Sequence, residues 1–401
     1  EWKMSKKQIW IINEYAGSPY YGLGVRHYYL GKELVKLGYN VNIISSNYSH
    51  LFKNFPKPGK ENIDGIDYFW IKTFNYGKAH SKKRVFKWFL FSLKLFQLPF
   101  KLEKPDIIIT SSPSLFPVFP GWILSKFYRA KFVFEVRDIW PLTLIEVGGY
   151  SRNHPFIKIM KFFEILALKK ADLIISNLPN YGEYLKDNNI NRDFVWISNG
   201  INLEEMKEVK ALPLEVIEKI PKDKFIVGYA GTVGAANAID SFLEASKFIN
   251  KDDIFFVIVG DGQEKQRLQE IYKKDNIIFL DAIDKKQVQS ILKLFDVCYI
   301  GWRDKNFYKY GISANKLFDY MYSGKPILHS FNRKGDIVQI VNCGITVKAE
   351  NPEAIVDGIM KLYNMSKEER KKLGENGKNY VVRYFNYKEL TKKLINEIRS
   401  L

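Results

Sequence analysis

Lys316 and Asp319 stand three residues apart in the stretch 310–326, YGISANKLFDYMYSGKP, and those residue types at that spacing suit an anion next to a pair of hydroxyls. Leu317, Phe318, Met321 and Tyr322 recur at helical spacing over 315–323, and Gly324 falls where a helix would stop. Gly311 and Ser313 form a small polar entry to it. The first turn of such a helix offers unpaired backbone N–H groups and the positive end of its dipole, so a phosphate is favoured beside Asn315 and Lys316. Asp319, on the same face as Lys316, can accept hydrogen bonds from paired hydroxyls such as those of a ribose. A capped surface helix with a solvated carboxylate is the competing reading of the same residues.

A second charged pair, Arg137-Asp138, follows the strand-like run Phe134-Glu135-Val136 and precedes Ile139-Trp140-Pro141. Such a pair just beyond a strand is placed to act on a ligand, although an aspartate capping the next turn reads equally from it. Three glycine loops, 22–24, 231–234 and 260–262, lie at the carboxyl ends of predicted strands, where open α/β sheets bind ligands. Gly22-Leu23-Gly24 lacks the full dinucleotide spacing. There is no Walker lysine motif, no paired-cysteine spacing and no Asp-x-Asp to hold a divalent ion. A diphosphate must then be neutralised by backbone amides, helix ends and basic side chains, with no metal or cofactor expected. The five histidines show no triad order, and His27 and His329 read as core or cleft residues alike.

The elements that must position these groups alternate throughout. A chain of 401 residues that is 46% hydrophobic exceeds what one core usually holds, which predicts two domains. Strands are predicted at 8–13, 41–45, 66–70, 107–110, 132–136, 173–176 and 195–197, with helices such as 25–37 and 156–169 between them. The charged segment 202–222, carrying Pro213 and Pro221, reads as a linker. A second series follows, with strands at 225–230, 254–259, 277–280, 297–300 and 326–329. The predicted fold is therefore α/β: two Rossmann-like domains, 4–205 and 206–385, facing a central cleft, their parallel sheets covered on both faces. A helix at 386–401 is expected to pack back toward the first domain. Glu1 to Lys3 read as an appended remnant before Met4, and the apolar run 9–12 is too short for a signal peptide. Cys298 and Cys343, the two cysteines, sit in or beside apolar runs, which argues against a disulfide scaffold and suits the cytoplasm.

A formal charge of +18 calls for an anionic partner: nucleic acid, a membrane surface or phosphorylated substrates. The segment 78–105 holds eight Lys or Arg residues against one acid, with six aromatics over 85–100. On a helical wheel Lys83, Lys87 and Lys94 share one stripe, while Trp88, Phe89 and Phe91 belong to the apolar remainder. That pattern suits a helix lying in an anionic membrane interface, and equally a two-sided buried helix whose lysines snorkel. Recognised basic modules and repeated base-stacking motifs are absent, so nucleic acid is not expected.

Taken together, these residues resemble the GT-B-fold glycosyltransferases of family 4, the retaining class, and among them the bacterial enzymes of O-antigen and capsule assembly. Gly22-Leu23-Gly24 followed by Arg26-His27-Tyr28-Tyr29-Leu30, Arg137-Asp138-Ile139-Trp140-Pro141, Ser198-Asn199-Gly200, Gly231-Thr232, Gly260-Asp261-Gly262 and SANKLFDYMYSGKP carry the likeness. In that family the last stretch bears a Glu-x7-Glu signature whose second acid binds the donor ribose. Asp319 matches the second acid, and Gly311 stands where the first is expected. The resemblance implies a UDP-sugar donor, of N-acetylated hexosamine type, held by Gly22, Gly24, Asn199, Gly231, Thr232, Gly311, Ser313, Asn315, Lys316 and Asp319. It implies retaining, metal-independent transfer to a polyprenyl-diphosphate-linked acceptor at the cytoplasmic face of the cell membrane, with Arg137 and Asp138 as the catalytic candidates. A sugar-nucleotide epimerase of the same fold, or a silent sugar-nucleotide-binding protein, are the alternatives.

Overall fold

The computed structural model describes residues 6–77 and 82–401. The reading of Glu1 to Met4, and residues 78–81 of the basic segment, lie outside the described residues.

The chain forms two compact units: the first runs through Ser198 and takes in Tyr387–Leu401, and the second is Asn199–Asn386. In the first, eight strands are β1 (Gln8–Ile12), β2 (Asn40–Ser46), β3 (Gly59–Ile63), β4 (Ile66–Ile71), β5 (Ile107–Ser111), β6 (Lys131–Val136), β7 (Leu173–Ser176) and β8 (Val195–Trp196). They lie in the order β3-β4-β2-β1-β5-β6-β7-β8. Runs such as QIWII and IIITS are buried almost throughout because helices cover both faces of a parallel sheet. One strand departs from the expected all-parallel order: β3 pairs antiparallel to β4 through the turn at Asp64-Gly65. Its sequence, GKENI, is polar and edge-lying, so hydrophobic patterning does not reveal it.

The helix Tyr387–Arg399 belongs to this first unit. Its Tyr387 ring stacks on Tyr29 of the helix Arg26–Lys36, with centroids 5.0 Å apart. At its far end Arg399 donates to the Tyr39 hydroxyl at 3.1 Å.

The second unit contains β9 (Phe225–Ala230), β10 (Ile254–Val259), β11 (Ile277–Leu280), β12 (Val297–Gly301), β13 (Ile327–Ser330) and β14 (Gly344–Val347), all parallel, in the order β11-β10-β9-β12-β13-β14. Val227, Tyr229, Phe242, Phe256, Tyr299 and Ile359 meet in its core, where the Phe242 and Tyr299 rings stack 4.0 Å apart. The segment read as a linker holds two short helices, Leu203–Lys207 and Leu214–Ile217. Asn202 caps the first by accepting from the Glu204 and Glu205 N–H groups, a local device that the charged composition conceals.

Candidate functional site

In the second unit the carboxyl ends of β9 and β10 carry two interlocked glycine loops. A Cβ on Gly260, whose φ is +147°, would meet the Gly231 carbonyl oxygen at 1.8 Å. Neither backbone can give way, so only glycine lets the two loops lie this close. Gly231, φ +155°, leaves its space to the Lys316 side chain, whose Cε and Nζ would lie 2.3 and 2.5 Å from an added Cβ. Thr232 is exposed, and its carbonyl accepts from the Tyr229 hydroxyl at 2.6 Å.

The helix Asn315–Ser323 forms as its sequence predicts and ends at Gly324 with φ +72°. No side chain caps its first turn, which leaves N–H groups there for a ligand. Asn315 opens the helix, exposed to solvent, and Lys316 turns inward. Its Nζ donates to the Tyr229 hydroxyl and lies 3.9 Å from the centre of that ring. Burial pushes the Lys316 ammonium down to about 7, against a smaller upward pull from Asp319. An anion arriving at this turn therefore favours protonation of the Lys316 amine and gains the resulting ammonium as a charge partner.

Asp319 is buried, and Lys285 donates to its Oδ2 at 2.5 Å. Gln289 donates to the Asp319 carbonyl at 3.0 Å. Gly311 (φ +102°) and Ser313 precede the helix. The Ser313 carbonyl accepts from Asn199 Nδ2 at 3.3 Å, while its Oγ is buried with no hydrogen-bond partner among the described residues. Asn199, Gly231, Thr232, Gly311, Ser313, Asn315, Lys316 and Asp319 therefore all belong to this unit. Lys285 and Tyr229 are additions that the sequence did not single out. Tyr229 had a local signal, being two residues before the glycine loop on a strand, whereas Lys285 had none.

Gly22 and Gly24 belong to the first unit. Gly22 bridges Phe52, and the Gly24 carbonyl accepts from Gly17, closing their loop on itself and on residues 51–53. Two residues after Gly24, Arg26 enters a buried charge cluster centred on Glu135. Arg26 donates to Glu135 Oε2 through Nε and Nη2 at 3.2 and 3.1 Å, and Ser111 donates to Oε1 at 2.7 Å. His27 Nε2 also lies 2.6 Å from Oε1. Burial alone would raise the Glu135 carboxyl, but Arg26, His27 and Arg137 outweigh it and hold it well below the usual carboxylate range. Burial lowers His27, so the neutral ring donates from Nε2 to the carboxylate. Its Nδ1 is buried without a partner among the described residues. An acid inside the apolar run FVFEV was the available signal for this cluster.

Arg137 follows Glu135 at the end of β6, half-buried, with its Nε unpartnered among the described residues. The Arg137 N–H donates to Ser112 Oγ at 3.0 Å, and that hydroxyl donates to the Asp138 carbonyl at 3.1 Å. This clamp fixes the backbone and leaves the Asp138 side chain exposed. His329 is fully buried elsewhere: Trp302 donates to its Nε2 at 2.9 Å, and its Nδ1 faces Asp336 at 2.8 Å. It is a packed core residue.

The helix Lys82–Lys94 corrects the membrane assignment of three residues. Lys87, Trp88 and Phe91 point inward and are buried. Lys87 donates to the Tyr48 carbonyl at 2.7 Å, sits 3.8 Å from the buried Glu14 carboxylate and lies over the Tyr76 ring. Burial pushes Glu14 up and Lys87 down. Lys94 donates to the Lys72 carbonyl at 2.6 Å. The side chain of Lys87 is held by tyrosines and a carboxylate instead of solvent, and the stripe drawn through Lys83, Lys87 and Lys94 turns toward the protein at its middle. Lys83 and Phe89 remain exposed.

Residues 20–205 match the family described as Glycosyltransferase Family 4, and residues 214–380 match Glycosyl transferases group 1. The chain is 27% identical over 316 residues to the uncharacterised glycosyltransferase MJ1069 of Methanocaldococcus jannaschii, covering 76% of this chain and 78% of that one. It is 23% identical over 179 residues to WcaI of Escherichia coli, named as a colanic acid biosynthesis glycosyl transferase, covering 42% and 43% of the two chains. Among solved structures, sucrose-phosphate synthase from Thermosynechococcus elongatus superposes with a TM-score of 0.76 at 16% identity, covering 98% and 99%. Alr3699/HepE of Anabaena, solved with UDP and glucose, superposes with 0.66 at 12% identity, covering 98% and 100%. With both parts of the chain matching glycosyltransferase families and both sheets matching the fold, the protein belongs to the glycosyltransferases of the GT-B fold.

Proposed function

We propose that the protein transfers a sugar, of N-acetylated hexosamine type, from a UDP-sugar to a lipid-diphosphate-linked acceptor in surface glycan assembly, with retained configuration and without a metal ion. The observation that carries the donor half is Lys316, held by Tyr229 over Gly231 at the uncapped first turn of the helix Asn315–Ser323. Backbone N–H groups and one protonated lysine supply the charge compensation that a diphosphate needs. Asp319 takes the ribose hydroxyls, with Lys285 as its present partner. HepE, a fold neighbour, is described with UDP and glucose, which supports the choice of base.

In the transfer, the bond between the sugar carbon and the diphosphate oxygen breaks as the acceptor oxygen bonds to that carbon from the same face. The acceptor's proton passes to an oxygen of the leaving diphosphate. The protein's part is to position the reactants and stabilise charge on the leaving group. Asp138, exposed on a clamped backbone, is our candidate to orient a hydroxyl, and Arg137 our candidate to stabilise developing negative charge. Glycine at position 311, where the resembled family carries an acid, is the observation favouring the silent-binding reading.

The test incubates the full chain with UDP-, GDP- and ADP-sugars, with and without lipid extract. Lipid-dependent UDP release supports transfer. An altered sugar without lipid dependence identifies an epimerase, and binding without turnover a silent protein. Asp138→Asn is expected to lower turnover by at least about 100-fold while leaving UDP affinity unchanged. Near-normal turnover would make Asp138 a turn residue.

A further inference from the structure

We propose that one face of the first unit, built from the outer sides of three helices, docks on an anionic lipid bilayer. The helices Lys82–Lys94, Val118–Tyr128 and Pro155–Lys170 connect β4 to β5, β5 to β6 and β6 to β7. All three connections run the same way along the sheet, and right-handed crossovers place such helices on the same face. The first two connections share a core: Phe91, Leu95, Leu98 and Leu124 pack with Trp10, Ile12 and Ile108. Ring contacts tie them laterally, from Phe89 to Phe116 at 6.1 Å and from Phe116 to Phe163 at 5.5 Å.

The outer sides are where an ordinary surface would be polar, and here each helix shows large apolar side chains. Phe89 and Leu93 lie on the first helix, with Phe100 just beyond it 87% exposed. Phe127 on the second is 70% exposed and Phe162 on the third 62%. Lone exposed aromatics are normal on any protein, but several along adjoining helices form a patch that needs an occupant.

Charge selects the occupant. The three helices carry ten lysines and arginines, all but the buried Lys87 at least partly exposed, against a single acid, Glu164. That acid is buried, paired with Lys161 at 2.7 Å and bonded by the Tyr184 hydroxyl. The exposed side of the face therefore presents apolar side chains and cations, with no acid from the three helices. A second copy of the chain would bring like charges together, whereas a bilayer of anionic lipids offers a layer of phosphates above an apolar interior. Aromatic rings at the boundary and lysines among the headgroups satisfy both. Among the described residues no helix is long and apolar enough to cross a membrane, so the contact is with the surface.

The single-helix expectation from sequence is thereby widened to three helices, keeping Phe89 and losing the buried Lys87, Trp88 and Phe91. The binding side chains are the outward aromatics of three helices, two of which carried no membrane signal in the sequence reading. The inference stands apart from the transfer reaction, because lipid binding is read without any substrate.

The full chain is mixed with vesicles of phosphatidylcholine alone or with added phosphatidylglycerol and sedimented at low and high salt. Binding to the anionic vesicles that weakens with salt is expected, since headgroup attraction is screened. Phe127→Ser and Phe162→Ser are each expected to weaken it about tenfold. Leu214→Ser, which removes an exposed apolar side chain of the second unit, should leave it unchanged. Circular dichroism and melting curves of every variant establish folding. A folded wild-type chain that stays with the supernatant at low salt overturns the proposal. So does undiminished binding by both Phe variants, or a dimer in light scattering that the Phe variants dissociate.

Discussion

The two units place charge at the same point of the same topology, the carboxyl ends of parallel strands, and prepare it in opposite ways. Around Glu135 the charges are mutually satisfied: Arg26, His27 and Ser111 all converge on one carboxylate inside the protein. Around Lys316 they are not, because the ammonium has a tyrosine hydroxyl for a partner, a depressed pKa and open N–H groups next to it. A network closed on itself fixes geometry, whereas a cation with backbone donors and no anion is ready to receive one. The first unit's cluster is a frame for Asp138, and the second unit's loop is a receptor.

The sharpest break in this contrast is Glu135→Ala. Removing the shared acceptor leaves buried cations uncompensated, so the first unit should lose about 3 to 5 kcal/mol in denaturant unfolding. A loss below about 1 kcal/mol would mean that the network is ornamental. Lys316→Ala should do the reverse, leaving stability nearly intact and weakening UDP by about 1.5 to 3 kcal/mol in calorimetry, with uridine affected far less. Equal losses for UDP and uridine would remove Lys316 from the diphosphate.

A pH series sharpens the same point. Free Lys316 is charged below about 7 and neutral above it. UDP binding above that pH must take up a proton, so affinity should fall as pH rises, by up to about tenfold per unit. Calorimetry in buffers of different ionisation enthalpy reads the uptake directly, and Lys316→Met should abolish it. The smallest expected effect is Lys285→Ala. The Lys285 side chain is 67% exposed, so its ion pair with Asp319 contributes at most about 1 kcal/mol. Releasing Asp319 for a ribose should raise UDP affinity slightly, and a marked fall would show that Lys285 itself contacts the nucleotide.

How much of this was legible in the sequence depended on whether the cause was local. The helix from Asn315 and its stop at Gly324 follow from periodicity and a residue able to take positive φ, and both are present. The same is true of the glycine loops after β9 and β10. Lys285 is 34 residues from Asp319, and only tertiary structure brings the two together. Lys87 misled because helical periodicity gives an angle around the axis and not which side faces the core. An aromatic face and a basic stripe look alike whether the lysines meet lipid or, as here, tyrosines and a buried carboxylate. The antiparallel β3 escaped for a third reason, being an edge strand with no apolar alternation to betray it.

The return of Tyr387–Leu401 to the first unit makes the second unit an insertion within the first. The two ends of the inserted piece meet: Ile201 bridges Asn386, and its N–H donates to the Phe385 carbonyl at 2.8 Å. During synthesis the inserted piece is complete when Asn386 has emerged, while the unit that began first still lacks the helix bearing Tyr387. Residues 199–386 thus have every contact of their own fold before the earlier residues have theirs, and the order of completion reverses the order of translation.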